Sequence, residues 1–517
     1  MKKALFFFLA FFVFHTGLQS QSHEPHPCGT VEGRSAWLKK YQSNPDLPVY
    51  QKDNDSTIYV PLTIHLVGTD GGSSYYPAPR LLDALCTLNS DFEEANIQFY
   101  IEGGLNYLPN SAYNNHETVV DGAYMMFENN VENTLNCYVV NDPAGNCGYN
   151  LPYAGIALNE SCMGPADHTW SHEIGHALSL PHPFLGWEGG VSYNDSVSHN
   201  FNNPAPVQVL YDYTNYQDSF YVDTLIIDTA WVELTDGTNC HIAADGFCDT
   251  TPDYLAGRWT CDDNSQSSTV QTDPNGVQFV SDGTLIMSYS DDECQARFSE
   301  EQIAAMRANL FDEKPHLLYN QEPGIALPSE PLALYSPVEG ELAQFDDVFF
   351  EWEEVEGATS YFVQISRFSA FNVFDEYEVT SSSLVVNNLQ NDKTYYWRVR
   401  PYNDYSFCTV FSENGTFETG EVTAIRSLGK ASEVSVYPNL LNKREAITVS
   451  LTTPQSLQLQ VQLINTFGQI VTNRSFSTLS GNNQFQVVLP QNLTPGTYLI
   501  RLSIEAESIT EKIVITN

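Results

Sequence analysis

The sequence predicts a multidomain protein in which a mixed α/β domain of α+β type precedes two all-β sandwich domains. Its 517 residues suffice for about three or four domains, at roughly 100–200 residues each. In the first part of the chain, some apolar segments have strand spacing and others helical spacing. From Val348 onward, short strand-like segments follow one another between turn residues. This change of pattern predicts the order of the domains.

The mixed domain is predicted over residues 57–320. Its elements are a strand, an amphipathic helix, three strands and a second helix, at Ile58–Val67, Pro79–Glu94, Ile97–Ile101, Cys137–Val140, Gly155–Leu158 and Ala166–Leu180. We expect Gly155–Leu158 to be an edge strand and residues 183–283 to be irregular. A last helix begins after Ser299, an N-cap residue that is followed by two glutamates.

The segment 332–420 has the alternating pattern of a β-sandwich and resembles a fibronectin type III domain, with Leu389 and Tyr395 spaced for a tyrosine corner. Residues 434–517 resemble the C-terminal sorting domain of the bacterial type IX secretion system. Four motifs in order carry this resemblance: Val436-Tyr-Pro-Asn439, Phe467-Gly468-Gln469, Leu493–Leu502 and Lys512–Ile515. It implies passage across the outer membrane with the secretion machinery as partner. The alternative is a plain sandwich domain.

The N-terminus predicts export. Lys2 and Lys3 precede the apolar run Ala4–Phe14, and small or polar residues follow, so residues 1–21 have the pattern of a secretory signal peptide. Residues 22–56 are interpreted as a pro-segment or a simple extension. Because no later run of about 18 apolar residues occurs, no membrane span is expected. The protein is therefore predicted to be secreted or held at the cell surface.

The composition is strongly acidic. There are 22 Lys and Arg against 64 Asp and Glu, which gives 22 − 64 = −42. This charge opposes binding to nucleic acid and to anionic membranes, because both need basic side chains to hold phosphates. It is compatible with solubility outside the cell and does not by itself name a partner.

The cysteines predict disulfides, which an oxidising compartment permits. Eight of the ten cysteines lie between Cys86 and Cys294, so up to four bridges are expected there, with the pairing open. Cys28 and Cys408 lie outside this group.

A zinc site is predicted at His172-Glu-Ile-Gly-His176. Residues four apart share one face of a helix, so both imidazoles can bind one Zn²⁺ while Glu173 acts as base on the water that zinc activates. Pro181 disfavours further helix and permits the chain to bring His182 back to the metal. A short apolar segment, Leu285–Tyr289, follows farther along the chain.

This arrangement resembles the metzincin clan and, within it, the pappalysin or cytophagalysin family. The matching segments are His172–His182, Asp249–Pro252 and Ile286–Cys294. The resemblance implies a zinc metalloendopeptidase acting on protein or peptide substrates. It implies that His172, His176 and His182 bind the metal and that Glu173 is the general base. Met287 would form the apolar floor beneath the zinc, and Tyr289 would bind zinc or the oxyanion.

One residue departs from the family pattern. Ser179 stands where the family has glycine, which permits a positive φ at the turn out of the helix. Serine can adopt this conformation at a cost of about 1 kcal/mol. A gluzincin arrangement with Glu188 as the third ligand is the alternative. The segment Leu285–Tyr289, which resembles the Met-turn of metzincins, argues against it.

Three secondary sites follow from the resemblance. The thiol of Cys28 is expected to act as a zymogen switch, the alternative being a disulfide with Cys408 or another cysteine. The acidic loop with Asp245 and Asp249 is a candidate for Ca²⁺, the alternative being a solvated loop. The carboxylates after the Met-turn are expected to border the pocket for the residue after the scissile bond and to favour Lys or Arg there, unless they face solvent; they are Asp291, Asp292 and Glu293.

The predicted function is a secreted zinc-dependent endopeptidase that hydrolyses extracellular proteins. The alternatives are a surface adhesin that keeps an inactive peptidase scaffold and a zinc hydrolase of non-peptide substrates. The presence of Glu173 beside the three histidines favours the enzyme, because a scaffold without chemistry does not need that carboxylate.

Overall fold

The computed structural model describes residues 26–30, 33–46, 56–187, 199–215, 224–255, 257–420, 426–428, 430–442, 446–465, 469–490, 493–504 and 507–516. The predicted signal peptide, part of the predicted pro-segment, Glu188 and the Phe467-Gly468 pair lie outside these residues. The chain divides into two compact units. Unit 1 takes in the described residues of Met1–Ser336, Glu351–Leu384 and Tyr396–Gly415, and unit 2 those of Pro337–Phe350, Val385–Tyr395 and Thr416–Asn517.

The helices of the described residues all lie in unit 1. The α-helices are α1 (Ala36–Ser43), α2 (Ala78–Asp91), α3 (Ser111–Asn114), α4 (Val119–Asn129), α5 (Thr169–Ala177) and α6 (Glu300–Asp312), and short 3-10 turns lie at Glu160–Cys162 and Pro315–Leu318. Ser299 caps α6 as predicted, because its hydroxyl accepts from the backbone N–H of Gln302 at 3.1 Å. No helix among the described residues is long and apolar enough to cross a membrane.

The strands before residue 320 are β1 (Ile58–Gly68), β2 (Ile97–Pro109), β3 (Asn115–His116), β4 (Leu135–Val140), β5 (Asp142–Pro143), β6 (Gly148–Leu151), β7 (Gly155–Asn159), β8 (Gln208–Asn215), β9 (Thr224–Trp231), β10 (Gln271–Thr272) and β11 (Gln278–Phe279). Five of them form a sheet in the order β2-β1-β4-β7-β6. Only β6 is antiparallel to its neighbour.

Two sequence predictions about these strands are wrong. The segment around Gly155–Leu158 is not the edge of the sheet, because β6 pairs with it and forms the edge itself. β6 escaped prediction because its four residues are too few for a pattern. The stretch 183–283 is not wholly irregular, since β8 and β9 pair as an antiparallel ribbon.

The five-stranded sheet is covered on both faces. Leu62 of β1, Leu85 of α2, Ile174 of α5 and Met306 of α6 belong to one apolar core. On the other face, α4 packs in a second core that includes Tyr138 of β4. Because alternate residues of a strand point to opposite faces, neighbouring residues of β4 contribute to different cores. The core places α5 directly against β6 and β7.

Four disulfides link unit 1: Cys86–Cys408, Cys147–Cys162, Cys240–Cys248 and Cys261–Cys294. Three of them lie in the predicted group, whereas the bond from Cys86 reaches outside it. Cys28 and Cys137 are free and buried, so a disulfide between Cys28 and Cys408 is excluded. The spacing of cysteines could not reveal this pairing, because the partners of Cys86–Cys408 are 322 residues apart.

The strands of residues 332–420 are shared between the two units. They are β12 (Leu334–Ser336), β13 (Glu341–Gln344), β14 (Val348–Trp352), β15 (Ser360–Ser366), β16 (Phe374–Val379), β17 (Ser383–Val386), β18 (Lys393–Tyr402) and β19 (Gly415–Gly420). Within unit 1, β15 pairs with β16 and with residues 396–402 of β18. Within unit 2, the Tyr395 hydroxyl accepts from the backbone N–H of Gln390 at 2.9 Å, as a tyrosine corner requires.

The last segment forms a two-sheet sandwich in unit 2. Its strands are β20 (Arg426–Leu428), β21 (Ala431–Tyr437), β22 (Leu440–Asn442), β23 (Ala446–Thr453), β24 (Gln458–Asn465), β25 (Ile470–Ser477), β26 (Gly481–Val488), β27 (Gly496–Ile504) and β28 (Glu507–Thr516). The sheets have the orders β20-β21-β23-β26 and β22-β28-β27-β24-β25. Ile447, Leu459 and Ile500 are among the buried residues between them, which confirms the predicted all-β class.

Candidate metal centre

Helix α5 carries the first two histidines and the glutamate of the predicted zinc motif. It ends in a turn in which the N–H of Ser179 bonds to the carbonyl of His176 and the N–H of Leu180 to that of Gly175, both at 2.9 Å. These two bonds form a Schellman motif, whose central residue needs a left-handed backbone. Ser179 has φ 74°, so it adopts the conformation for which glycine is preferred. Its hydroxyl also accepts from Asn309 Nδ2 at 3.1 Å.

The turn brings His182 back to the helix. The Nε2 atoms of His172, His176 and His182 lie 3.0–3.1 Å from one another. The Nδ1 atoms of His172 and His176 donate to the carbonyl oxygens of Ile286 and Leu180, at 2.8 and 2.7 Å. These donations leave the Nε2 atoms of both rings as acceptors, so neither can satisfy the other by hydrogen bonding.

Burial keeps the three imidazoles neutral. It lowers the pKa of His172 to about 4 and, together with the neighbouring histidines, holds the pKa of His176 and His182 well below the usual range. Neutral imidazole is the form that binds metal. Tetrahedral ligands at about 2.05 Å from zinc would be roughly 3.3 Å apart, close to the observed spacing. The donor set therefore fits Zn²⁺ on its own chemistry.

Cys28 completes a fourth corner of this cluster. The ligand atoms of Cys28, His172, His176 and His182 all lie within 4.8 Å of one another, and Cys28 Sγ is 3.5 Å from His176 Nε2. A thiolate at this position is a zinc ligand of ordinary type. Burial and then the adjacent Glu173 raise the pKa of the Cys28 thiol well above its usual range.

The segment around Cys28 lies along the edge strand β6. Gly29 N–H donates to the carbonyl of Gly148 at 2.8 Å, and His26 and Cys147 extend the ladder. Thr30 Oγ1 donates to Glu173 Oε2 at 3.1 Å. The segment thus engages both the histidine cluster and the glutamate. The sequence indicates Cys28, whereas the contact of Thr30 with Glu173 carries no sequence signal.

Glu173 is fully buried beside the cluster. Burial raises its pKa to about 8, and hydrogen bonds from Cys28 and Thr30 oppose this rise. The backbone at Gly148 allows the close approach of this side chain, because a Cβ there would lie 2.9 Å from Glu173 Cγ. A carboxyl group whose pKa is near neutrality is suited to receive a proton during catalysis.

The Met-turn segment lies beneath and beside the histidines. Met287 is fully buried, and its Sδ would lie 2.4 Å from a Cβ on Gly175, so glycine at this helix position permits the contact. The ring of Tyr289 lies 5.0 Å from that of His182 and 6.0 Å from that of His172. Its hydroxyl donates to the carbonyl of Cys28 at 3.4 Å. Both predicted positions are therefore adjacent to the cluster.

A cleft of about 780 Å³ opens at the histidines. Its walls include His176 and His182, the turn after β6 with Tyr153, and residues of the N-terminal segment such as Thr30 and Trp37. Helix α1 of that segment is held by Trp37, whose Nε1 donates to Asp312 Oδ2 at 2.9 Å. The N-terminal segment therefore fills part of the space in front of the cluster.

The two predicted calcium residues of the acidic loop have different hydrogen-bond partners. Both oxygens of Asp249 cap α6, accepting from Ser299 Oγ at 2.7 Å and Glu301 N–H at 2.8 Å. Asp245 is buried, and its Oδ2 has no hydrogen-bond partner among the described residues; the same holds for Oε2 of buried Glu233. Burial raises the pKa of Asp245 to about 7 and, with the charge of Asp245, that of Glu233 to about 10. Glu233 carried no sequence signal.

The three carboxylates after the Met-turn have different surroundings. Glu293 is exposed, whereas Asp292 lines a small cavity beside His172 and Tyr289. Asp292 Oδ2 accepts from Arg258 Nη1 at 2.6 Å, and its Oδ1 accepts from the N–H of His168 at 3.2 Å. Asp291 is absent from the lining of this cavity. Of the three predicted residues, one therefore borders the candidate site.

Comparison with known proteins identifies the C-terminal segment. Residues 435–516 match the family described as the secretion system C-terminal sorting domain. The protein is therefore secreted or held at the cell surface, and the type IX resemblance of this segment agrees with that match. The match covers the last sandwich and not the metal centre.

No curated protein matches the chain. Among solved structures, the FN1–FN3 domains of chicken CNTN1 are similar to 37% of this chain and 68% of that chain, with 15% sequence identity and a TM-score of 0.15. At this score the similarity assigns neither a fold nor a function.

Proposed function

We propose that the protein is a secreted zinc-dependent endopeptidase of metzincin type. The observation that carries the proposal is the convergence of three imidazole Nε2 atoms within 3.1 Å of one another, with Glu173 buried beside them. A catalytic zinc site needs neutral imidazole ligands, a carboxyl base and a cleft through which the substrate reaches the metal. The observed cluster is consistent with each of these requirements.

Zinc in this position would supply a Lewis acid that polarises a peptide carbonyl and makes water easier to ionise. The residues of the chain supply the other functions. Glu173 accepts a proton from the attacking water and returns it to the leaving amine. The hydroxyl of Tyr289 donates a hydrogen bond to the oxygen that gains negative charge. The outer edge of β6 can hold an extended peptide backbone, as it holds residues 26–30 here.

The same contacts support latency. Cys28 occupies the open side of the histidine cluster, and Thr30 hydrogen-bonds to Glu173, so residues 26–30 cover both the ligand position and the base. We therefore infer that this segment keeps the enzyme inactive until it is cut or displaced. Calcium at Glu233 and Asp245 is a further part of the proposal, supported by their two unpartnered buried oxygens.

Hydrolysis of casein by the protein after removal of residues 22–56 tests the proposed function. The wild type should cleave casein, and a chelator should abolish cleavage. Glu173→Gln keeps the shape of the side chain and removes the base, so the rate should fall by about 10²–10⁴-fold. Cleavage that survives both treatments would contradict the proposal.

A further inference from the structure

The small cavity beside the histidines has an internal ion pair in its wall. Its lining combines residues of α5 and the Met-turn with Arg258, Asp292 and Pro27. It contacts His172 and Tyr289, so a side chain entering it belongs to a residue next to the scissile bond. The cavity measures about 20 Å³ while Pro27 covers it, and a substrate side chain can enter only when the N-terminal segment has left.

Each carboxylate oxygen of Asp292 already accepts a hydrogen bond. Arg258 takes its Oδ2 at 2.6 Å, and the backbone of His168 takes its Oδ1 at 3.2 Å. A lysine or arginine of the substrate would have to share Asp292 with Arg258, which would place two cations beside one carboxylate in the same cavity. Like charges brought together in this way oppose binding.

Arg258 is held in this position by the backbone around it. The next residue, Trp259, donates from its N–H to the carbonyl of Tyr289 at 3.0 Å, and its own carbonyl accepts from the N–H of Asp291 at 2.9 Å. The disulfide Cys261–Cys294 joins the same two segments. The segment that carries Arg258 is thus tied to the Met-turn, so the ion pair is part of the wall and not a chance surface contact.

One further acid lies near the pair. Burial, and then the charge of Asp292, raise the pKa of Asp167 to about 6, while Arg258 lowers it. One oxygen of Asp167, Oδ1, already accepts a hydrogen bond from the N–H of Thr169 at 2.9 Å. The other polar groups of the wall are the neutral side chains of Thr169, Ser288, Ser290 and Gln295.

We propose that Arg258 is a specificity-determining residue that takes the place of a basic substrate side chain, so that the enzyme prefers an uncharged residue next to the scissile bond. This inference rests on the proposed peptidase function. It replaces the sequence-based expectation that Asp292, with Asp291 and Glu293, selects Lys or Arg. The Arg258 guanidinium neutralises the one carboxylate of the three that lines the cavity.

Cleavage profiling with a peptide library, using protein freed of residues 22–56, tests the proposal. The wild type should cut peptides with Lys or Arg at the positions flanking the bond about tenfold more slowly, in kcat/KM, than peptides with neutral residues there. Arg258→Gln should raise kcat/KM for the Lys and Arg peptides about tenfold relative to the neutral ones. Arg297→Gln is the matched control, because it removes an Arg–Asp pair of similar exposure that does not line the cavity.

Asp292→Asn provides a second test if Arg258→Gln does not fold. It leaves Arg258 as an uncompensated cation, so the preference should shift towards Glu and Asp. A wild type that prefers Lys or Arg, or a profile unchanged in both variants, would overturn the role of Arg258 and leave the peptidase proposal intact. Absence of all casein cleavage by the wild type would instead contradict the proposed function itself.

Discussion

At the scale of single residues, Glu233 and Asp245 are two buried carboxyl groups whose environment differs strongly from that of ordinary carboxylates. Their pKa values are raised by burial, to about 10 and about 7. At pH values between its ordinary pKa and the raised pKa, a carboxyl group keeps its proton in the folded state more than in the unfolded state. Stability that depends on these groups must therefore decrease as pH rises through that interval.

We predict that the melting temperature in chelator decreases as pH rises from about 5 to 8, and that calcium reverses this trend by stabilising the ionised carboxylates. Asp245→Asn should remove part of the trend and weaken the effect of calcium. Asp263→Asn, at an exposed aspartate, is the control and should leave both unchanged. Calorimetry across pH measures the effect; equal responses of Asp245→Asn and Asp263→Asn would contradict the prediction.

The convergence of the three histidines beside Glu173 was predictable because it follows from their spacing in the sequence. His172, Glu173 and His176 fall on one helix, and Pro181 indicated the turn that returns His182. Arg258 and Glu233 were not predictable, since each gains its role from a residue distant in the chain: Arg258 from Asp292 and Glu233 from Asp245. The role of Thr30 was not predictable for the same reason, because its partner Glu173 is distant in the chain.

At the scale of elements, residues 26–30 and 33–43 form the segment that we propose to be inhibitory. Its first part pairs with the edge strand β6, and its helix α1 is held to the end of α6 by Trp37 and Asp312. Arg34 donates to the carbonyl oxygens of His241 and Ile242, each at 3.1 Å. The segment is therefore anchored before and after Cys28 and Thr30, whose contacts with the histidines and with Glu173 carry the proposed latency.

We predict that Cys28→Ser gives peptidase activity in the uncut protein, because it removes the thiol from the histidine cluster. Thr30→Val should give a smaller increase, since it removes only the hydrogen bond to Glu173. Thr30→Ser keeps the hydroxyl and is the matched control. Initial rates on a quenched peptide, with gels to show that the chain is uncut, measure the outcome. Unchanged latency in both Cys28→Ser and Thr30→Val would refute this role of the segment.

Element prediction succeeded where periodicity extends over two or more turns or several strand residues. The helix predicted from Pro79 is α2, and the strand predicted from Ile58 is β1. It failed at β6 and at the ribbon of β8 and β9. β6 has four residues, all of them buried, so no alternation of polar and apolar residues indicates it. Yet β6 is the strand against which residues 26–30 lie.

At the scale of the whole molecule, the sorting domain decides where the protein works. We predict that deletion of residues 435–516 stops export, because these residues match the sorting family. Immunoblots of cells and medium from the native host measure this, with the zinc-site variant Glu173→Gln, which keeps the domain, as control. Export of the deletion variant at the level of the control would contradict the assignment.

The proposed enzyme cleaves peptide bonds with one zinc ion at the three histidines and Glu173 as base. Its most direct test is a titration of chelated protein, freed of residues 22–56, with zinc while casein hydrolysis is recorded. We expect the wild-type rate to rise to a plateau at one zinc per chain, and Glu173→Gln to bind the same single zinc without recovering activity. Hydrolysis that does not depend on zinc, or full activity of Glu173→Gln, would contradict it.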